Sequence, residues 1–424
     1  MTTQVEKNIN DQLPISLAAI QAANRRIHGV IQRTSLVYNP FFSQECGAEI
    51  YLKLENLQQT GSFKIRGASN KIARLLEAAE KAGLERPKGV IAASAGNHAQ
   101  GVAYAAAYNR MAAVVVMPLG ASLTKMKACR EMGAEVIQYG TSLEEAAVYA
   151  RQQAAEMGLI FLHPYDDWDI ITGQATLGLE LLEDLPDITM AVIPLGGGGL
   201  LGGTAMALKL QNPNIRVIGV QTEAVSPYLG YIQSGNYTAI QPNATTIADG
   251  IRVKLPGSAN SAIIRQYVDD VVTVDDNQIS EAIVALLERT RTIGEGAGTV
   301  ALAAMLHKKV PLGPSEKVAV VISGGNIDST LVGRIIDFGL VSSGRYMSVA
   351  ITVPDMPGQL VHLLTTVAEL GMNVRQVEHR RGELHIPVGK TEIILQIETK
   401  DWDQQAELFR RFADEGLFAR NLLV

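Results

Sequence analysis

Short apolar runs rich in Val and Ile alternate with longer amphipathic stretches along the first three-quarters of the chain. GVIAAS (residues 89–94) precedes HAQGVAYAAAYN, MAAVVVMP (111–118) precedes SLTKMKACREMG, and AEVIQYG (134–140) precedes SLEEAAVYARQQAAEMG. ITMAVIPL (188–195) precedes LLGGTAMALKLQ, and RVIGVQ follows. Strands that are apolar throughout are buried on both faces, so this alternation predicts parallel sheets covered by helices, an α/β architecture. In open sheets of this kind ligands bind beyond the carboxyl ends of the strands, in the loops that lead into helices.

The pattern changes after KVAVVISGGNIDST. From residue 346 onward it reads strand (YMSVAITVPD), helix (PGQLVHLLTTVAELG), strand (NVRQVEHRR), strand (TEIILQIET), helix (WDQQAELFRRFADEG) and a short last strand (ARNLLV). That βαββαβ order is the ferredoxin-like arrangement. The expected organisation is a first domain over residues 1–335 made of two α/β subdomains, the smaller at roughly 55–165. A linker at 336–344, with its boundary near Gly344, and a second domain at 345–424 follow. No internal repeat or low-complexity segment interrupts it.

Composition narrows the function classes. With 424 residues, 47% hydrophobic and 19% charged, the chain has enough apolar material for a buried active site and no run long enough to cross a membrane. A formal net charge of −6 leaves no basic footprint for nucleic acid. The two cysteines, Cys46 and Cys129, lack metal-ligand spacing, and MTTQVEKNIN has no basic-then-apolar leader. A cytoplasmic location is the resulting expectation.

Three strand-end loops carry chemistry-bearing residues. SAGNHAQG (94–101) opens a helix whose first amides suit a carboxylate. The run LGGGGLLGG (195–203) allows close approach of a phosphate to backbone at the positive end of a helix. VISGGN (321–326) contributes Ser323 and Asn326. Taken singly, each has a plainer reading: Lys64 in TGSFKIRGAS as a surface charge, Asn97 and His98 as helix caps, Ser323 as a turn hydroxyl. The glycines also raise a rival, since Gly197, Gly199 and Gly202 satisfy G-x-G-x-x-G and Glu223 follows about 20 residues later, the fingerprint of an NAD-dependent enzyme. That rival leaves SFKIRGA and SAGNHAQG without a role.

TGSFKIRGA, SAGNHAQGVA, PYDDWDIITGQATLGLE, GGGGLLGG, ADGI and SGGNID, in this order, closely resemble the pyridoxal-phosphate (PLP) enzymes of fold type II, the tryptophan-synthase β-like family, and within it the threonine deaminases. VPDMPGQLVHLLTTVAELGMNV resembles an ACT domain, a module that binds amino-acid effectors in related enzymes. The resemblance covers residues 15–335 for the first part and implies a role for each matching residue. Lys64 matches the lysine that holds the cofactor as a Schiff base and then removes the substrate α-proton, which requires a neutral amine and therefore a lowered pKa. Phe63 matches the aromatic beside the ring, Gly196, Gly197, Gly198 and Gly199 the phosphate cradle, Asn97 the partner of the 3'-hydroxyl, and Ser323 the partner of the ring nitrogen. Gly250 lets backbone pass over the ring face, and the segment Ser94, Ala95, Gly96, Asn97 and His98 holds the substrate carboxylate.

The implied reaction is dehydration and deamination of L-threonine to 2-oxobutanoate and ammonia, by a carbon–nitrogen lyase that also takes L-serine. A serine racemase or dehydratase is the nearest alternative. Racemisation needs a second acid/base opposite the lysine, commonly a serine where this chain has Ala95, and alanine delivers no proton. Gln221 and Pro227 stand about where that racemase has metal carboxylates, so no essential divalent metal is expected and a monovalent cation stays open. A nonenzymatic amino-acid sensor is the alternative from another class, and retention of Lys64 argues against it. Glu295 in EGAG lies where the resembled family places a carboxylate near the cofactor, with a helix-entry charge as the simpler reading, while His163, Asp166 and Asp167 match a family motif and read as loop structure or caps. His362 and His379 read as solvated or structural. The candidate effector site comprises Asp355, Pro357, Gly358, Gln359 and Leu360, with Asn373 nearby. Isoleucine or valine is the expected effector in a biosynthetic role, and a homodimer or homotetramer the expected assembly.

Overall fold

The computed structural model describes residues 14–241, 243–313 and 315–423; the leader reading made on MTTQVEKNIN lies outside them. The chain divides after Asp328 into two compact units.

The first unit contains strands β1 (Leu36–Tyr38), β2 (Glu49–Leu54), β3 (Gly89–Ala93), β4 (Ala112–Met117), β5 (Glu135–Gln138), β6 (Ile160–Phe161), β7 (Met190–Pro194), β8 (Arg216–Thr222), β9 (Asp270–Val274) and β10 (Lys317–Ile322). Its helices are α1 (Leu17–Ile27), α2 (Pro40–Cys46), α3 (Lys64–Lys81), α4 (Asn97–Tyr108), α5 (Leu123–Glu131), α6 (Leu143–Met157), α7 (Trp168–Asp184), α8 (Gly199–Lys209), α9 (Tyr231–Ser234), α10 (Ser258–Tyr267), α11 (Asp276–Thr290) and α12 (Gly296–Leu306). Two sheets form. The larger has the order β1-β2-β10-β7-β8-β9, parallel except for the edge strand β1, and the smaller, β5-β4-β3-β6, is parallel throughout. The smaller sheet is an insertion, because the chain leaves the larger one after β2 and returns at β7.

The apolar runs behave as a doubly covered sheet requires. Along β3 and β4, Val90, Ala92, Val115 and Met117 enter one hydrophobic cluster, while Ile91, Ala93, Val114 and Val116 enter another on the opposite face. Helix ends follow local chemistry. Ser142 accepts from the Glu145 amide to start α6 and Gly158 closes it in the left-handed region, while Asp275 and Gln278 form a reciprocal capping box on α11.

The second unit contains α13 (Ser329–Ser342), β11 (Tyr346–Pro354), α14 (Gln359–Glu369), β12 (Asn373–Arg380), β13 (Lys390–Glu398), α15 (Trp402–Asp414) and β14 (Ala419–Asn421). Its antiparallel sheet has the order β12-β13-β11-β14, the expected ferredoxin-like topology. Residues 336–344 differ from the expected linker. Most of them continue α13, because Ile335 and Gly339, four residues apart, give that segment a buried helical stripe that packs on β11.

Candidate active site

Four loops at the carboxyl ends of strands converge. The chain beyond β2 leads to Lys64, the β3 loop carries Ser94–Gly96, the β7 loop carries Gly196–Gly198, and the β10 turn carries Ser323–Asn326. The first and last are tied by a short ladder: Phe63 N donates to Ser323 O at 3.1 Å, Gly325 N donates to Gly61 O at 2.9 Å, and Ser62 bridges Gly324. This pairing sets Ser323, 3% exposed, beside the start of α3.

Lys64 is the first residue of α3 and lacks a side-chain cap before it. A cation at a helix N-terminus is opposed by the helix dipole. The residue is half-buried. Its amine donates to Pro164 O at 3.0 Å and stands 5.2 Å from the centre of the Phe63 ring. Desolvation outweighs the attraction of Glu295 and lowers its pKa to about 8.

The β7 loop explains its four glycines by what packs behind it. A Cβ on Gly196 would come within 2.9 Å of Ile251 Cα, one on Gly197 would overlap the Tyr165 ring, and one on Gly198 would come within 2.7 Å of Asn260 Cβ. Gly198 also has φ +100°, the left-handed region that favours glycine. Among the described residues the amides of Gly196 to Gly199 take no protein acceptor, so a row of N–H groups stands free at the start of α8. The start of α4 is similar: Gly96 N donates to Ser94 Oγ, and the amides of Ala95, Asn97 and His98 are uncommitted. The His98 ring is buried, 3.3 Å from Leu162 O, and burial lowers its pKa to about 3, so it is neutral. It therefore contributes its backbone to the loop and no charge.

Asn97 is held from two sides. Its Nδ2 donates to Glu295 Oε1 at 2.5 Å, and its Oδ1 accepts from Asn326 Nδ2 at 2.8 Å, which also donates to Thr60 O. Glu295 precedes α12, yet its side chain caps nothing. It is 6% exposed inside the site, and burial raises its pKa to about 7. The helix-entry reading is corrected accordingly. Gly250 sits in a short 3-10 turn next to Ala297, at the exposed mouth.

Sequence reasoning missed the foundation under Lys64. Arg66, fully buried, places Nε and Nη2 on Glu55 (2.8 and 2.7 Å) and Nη1 and Nη2 on Glu180 (2.7 and 2.9 Å). Buried Lys53 donates to Glu180 Oε2 at 2.6 Å and to Thr34 O. Two buried cations and two buried carboxylates thus pair with one another, joining β2, α3 and α7. The signal was present as an arginine two residues after Lys64 and a glutamate ending the segment 164–180. His163, Asp166 and Asp167 are structural, as expected: Asp167 caps α7, Asp166 accepts from the first amides of α10, and His163 Nδ1 accepts from Asp166 N.

In the second unit a cavity of about 420 Å³ is lined by Asp355, Pro357, Gly358, Gln359 and Leu360, and also by His379 and Arg381, which the sequence did not assign. Asn373 does not line it; it faces β13 and donates to Glu398 at 3.0 Å. His362 Nε2 lies 2.9 Å from a carboxylate oxygen of Glu415. Among the described residues no cluster suited to a metal ion and no helix long and apolar enough to cross a membrane is present.

A desolvated amine at one strand-end loop and a row of uncommitted amides that only glycine permits at another fit an aldehyde bearing a phosphate. Comparison with known proteins agrees. The L-threonine ammonia-lyase of Thermotoga maritima is 46% identical over 96% of this chain and 99% of its own. Solved structures of maize serine racemase (31% identity, TM-score 0.71, 78% of this chain and 99% of that one) and of threonine deaminase isoform 2 from Solanum lycopersicum (33%, 0.69, 77% and 87%) have the same fold. With the pyridoxal-phosphate-dependent enzyme family matching residues 27–324, the chain belongs to that family.

Proposed function

We propose that the chain is an L-threonine ammonia-lyase that uses pyridoxal phosphate to convert L-threonine to 2-oxobutanoate and ammonia, with water lost and regained. The observation that carries this reading is the desolvated Lys64 amine together with the free amides of the glycine cradle; the choice of threonine is supported by the whole-length similarity to the Thermotoga maritima protein. Lys64 Nζ would hold the cofactor aldehyde, the amides of Gly196 to Gly199 its phosphate, Asn97 its hydroxyl and Ser323 its ring nitrogen, with Phe63 and Gly250 beside the ring. The cofactor supplies an electron sink for the pair left when the α-proton departs.

The chain's own residues do the rest. The amides of Ala95, Asn97 and His98 bind the substrate carboxylate at the start of α4, and Lys64 Nζ, about half of it neutral at pH 8 and most of it above, takes the α-proton. A hydroxyl at Ser323 tolerates an unprotonated ring nitrogen, which favours prompt loss of the β-hydroxyl over slower alternatives. Ala95 presents no acid on the opposite face, which supports elimination over racemisation. L-serine fits the same chemistry, since a methyl more or less in an apolar pocket changes selectivity by about 1–3 kcal/mol. The second unit acts as an amino-acid-binding regulatory domain, with the cavity beside Gly358 taking isoleucine or valine.

The test is direct. The reconstituted protein is expected to turn yellow, release 2-oxobutanoate from threonine, and carry a pyridoxyl adduct on Lys64 after borohydride reduction and peptide mass spectrometry. A colourless protein without that adduct overturns the reading.

A further inference from the structure

We infer that Tyr165 sets the size of β-substituent the site accepts, its ring forming a fixed wall between Lys64 and the glycine loop. The inference rests on the proposed function, and three observations carry it. The first is position. Lys64 Nζ donates to the carbonyl of Pro164, and the ring of the next residue lies against Gly197, where an added Cβ would overlap it. The carbonyl oxygen of Tyr165 stands 3.3 Å from where a Cβ on Gly199 would be. Residues 164 and 165 therefore link the two halves of the site, the carbonyl of one holding the amine and the ring of the other packing on the cradle.

The second is rigidity. His163 Nδ1 accepts from the amides of Tyr165 (3.3 Å) and Asp166 (2.8 Å), and the His163 and Tyr165 rings meet edge to face at 4.7 Å. Asn260 Nδ2 donates to Tyr165 O at 2.9 Å. The phenol reaches across to donate to Leu255 O at 3.2 Å. Both ends of the side chain are pinned, so the ring does not swing aside to admit a longer substrate.

The third is chemical. In pyridoxal phosphate the aldehyde and the phosphate-bearing methylene sit on adjacent ring carbons. Whatever lies between the residues holding those groups runs beside the substrate α-carbon and its first side-chain atoms. A pinned aromatic there leaves room for the hydrogen of serine or the methyl of threonine and closes against longer chains. Burial keeps the phenol protonated, with its pKa raised, so Tyr165 acts by shape and not as a base. It is a specificity residue distinct from Lys64.

Tyr165→Ala and Tyr165→Phe test this, compared with the parent on L-threonine and on 3-hydroxynorvaline, one carbon longer. The alanine variant is expected to raise the kcat/KM ratio of the longer substrate to threonine by about tenfold or more, and the phenylalanine variant to leave it within about threefold. Calorimetric binding of alanine, 2-aminobutanoate and norvaline, which have no β-group to lose, reads the wall without turnover. Affinity is expected to drop from 2-aminobutanoate to norvaline in the parent, and that drop to disappear in Tyr165→Ala. If Tyr165→Ala does not fold with cofactor, Tyr165→Leu is subject to the same two readouts. An unchanged ratio and an unchanged binding series in a folded variant overturn the inference. Failure of the parent to turn over threonine or serine overturns the proposed function instead.

Discussion

Replacing Arg66 with methionine removes the centre of the buried charge cluster beneath Lys64. Methionine keeps the apolar stem of the side chain and loses the guanidinium with all five donors. Glu180 retains Lys53, but Glu55, 0% exposed, keeps only the Thr34 hydroxyl. Stranding a buried carboxylate in this way costs about 3–5 kcal/mol. A first unit of roughly 330 residues unfolds with about 0.7 kcal/mol/K of entropy, so the melting point should fall by about 4–7 °C. Thermal unfolding followed by circular dichroism at pH 7, with and without cofactor, measures this. The double variant Arg66→Met/Glu55→Gln restores balance between Lys53 and Glu180 and should recover at least about 1 kcal/mol relative to additivity. Acid titration adds a sign. Burial pushes the Glu180 carboxyl up, but Arg66 and Lys53 outweigh it and hold it below its ordinary value. Its stabilisation is therefore present above the unfolded pKa and lost as pH falls through the lower folded one; in Arg66→Met that loss should begin at higher pH. A single variant that melts with the parent, or strictly additive variants, would refute the account.

Reconstitution should depend on the protonation of Lys64. Only the neutral amine attacks the aldehyde, so the rate at which apoprotein takes up pyridoxal phosphate, followed by absorbance, should climb about tenfold per pH unit below 8 and level off above it. Lys64→Ala should show no pyridoxyl adduct and lose at least about 10²–10⁴ in kcat. Glu295 carries the opposite linkage to Glu180. Its folded pKa of about 7 lies above the unfolded value, so it costs stability increasingly as pH rises from about 4.5 to 7, up to about 3 kcal/mol. Glu295→Gln apoprotein should thus melt above the parent at pH 8 and with it at pH 4.5. Titration with isoleucine or valine should release or absorb heat, and Arg381→Ala, which frees Asp355 from its 2.9 Å ion pair, should shift that affinity. Absence of heat with both ligands would end the effector assignment.

Much of this site was legible because backbone chemistry leaves a local signature. Glycines at 196–199, a small-residue turn at 94–96 and a lysine opening a helix each announce themselves within ten residues. What was not legible depends on atoms brought together across the chain. Arg66 meets Glu180 over 114 residues and Asn97 meets Glu295 over 198, and neither pairing has a periodicity to read. Glu295 illustrates the difficulty: at the entry of α12 an acid is explained by the dipole alone, and only burial shows that it serves Asn97 instead. In the second unit the strand and helix pattern was clear, whereas α13 was hidden because its stripe is only two buried residues deep.

The insertion of the smaller sheet has a consequence for biosynthesis. Strand β10 fills the gap between β2 and β7, yet it is the last of the larger sheet to leave the ribosome, about 270 residues after β2 begins. Until then two apolar strands present open edges, exposed to mispairing, while β3 to β6 can already close among themselves. A nascent chain halted before residue 317 would be a half-built scaffold with a finished smaller sheet and sticky flanks, a natural client for a holding chaperone.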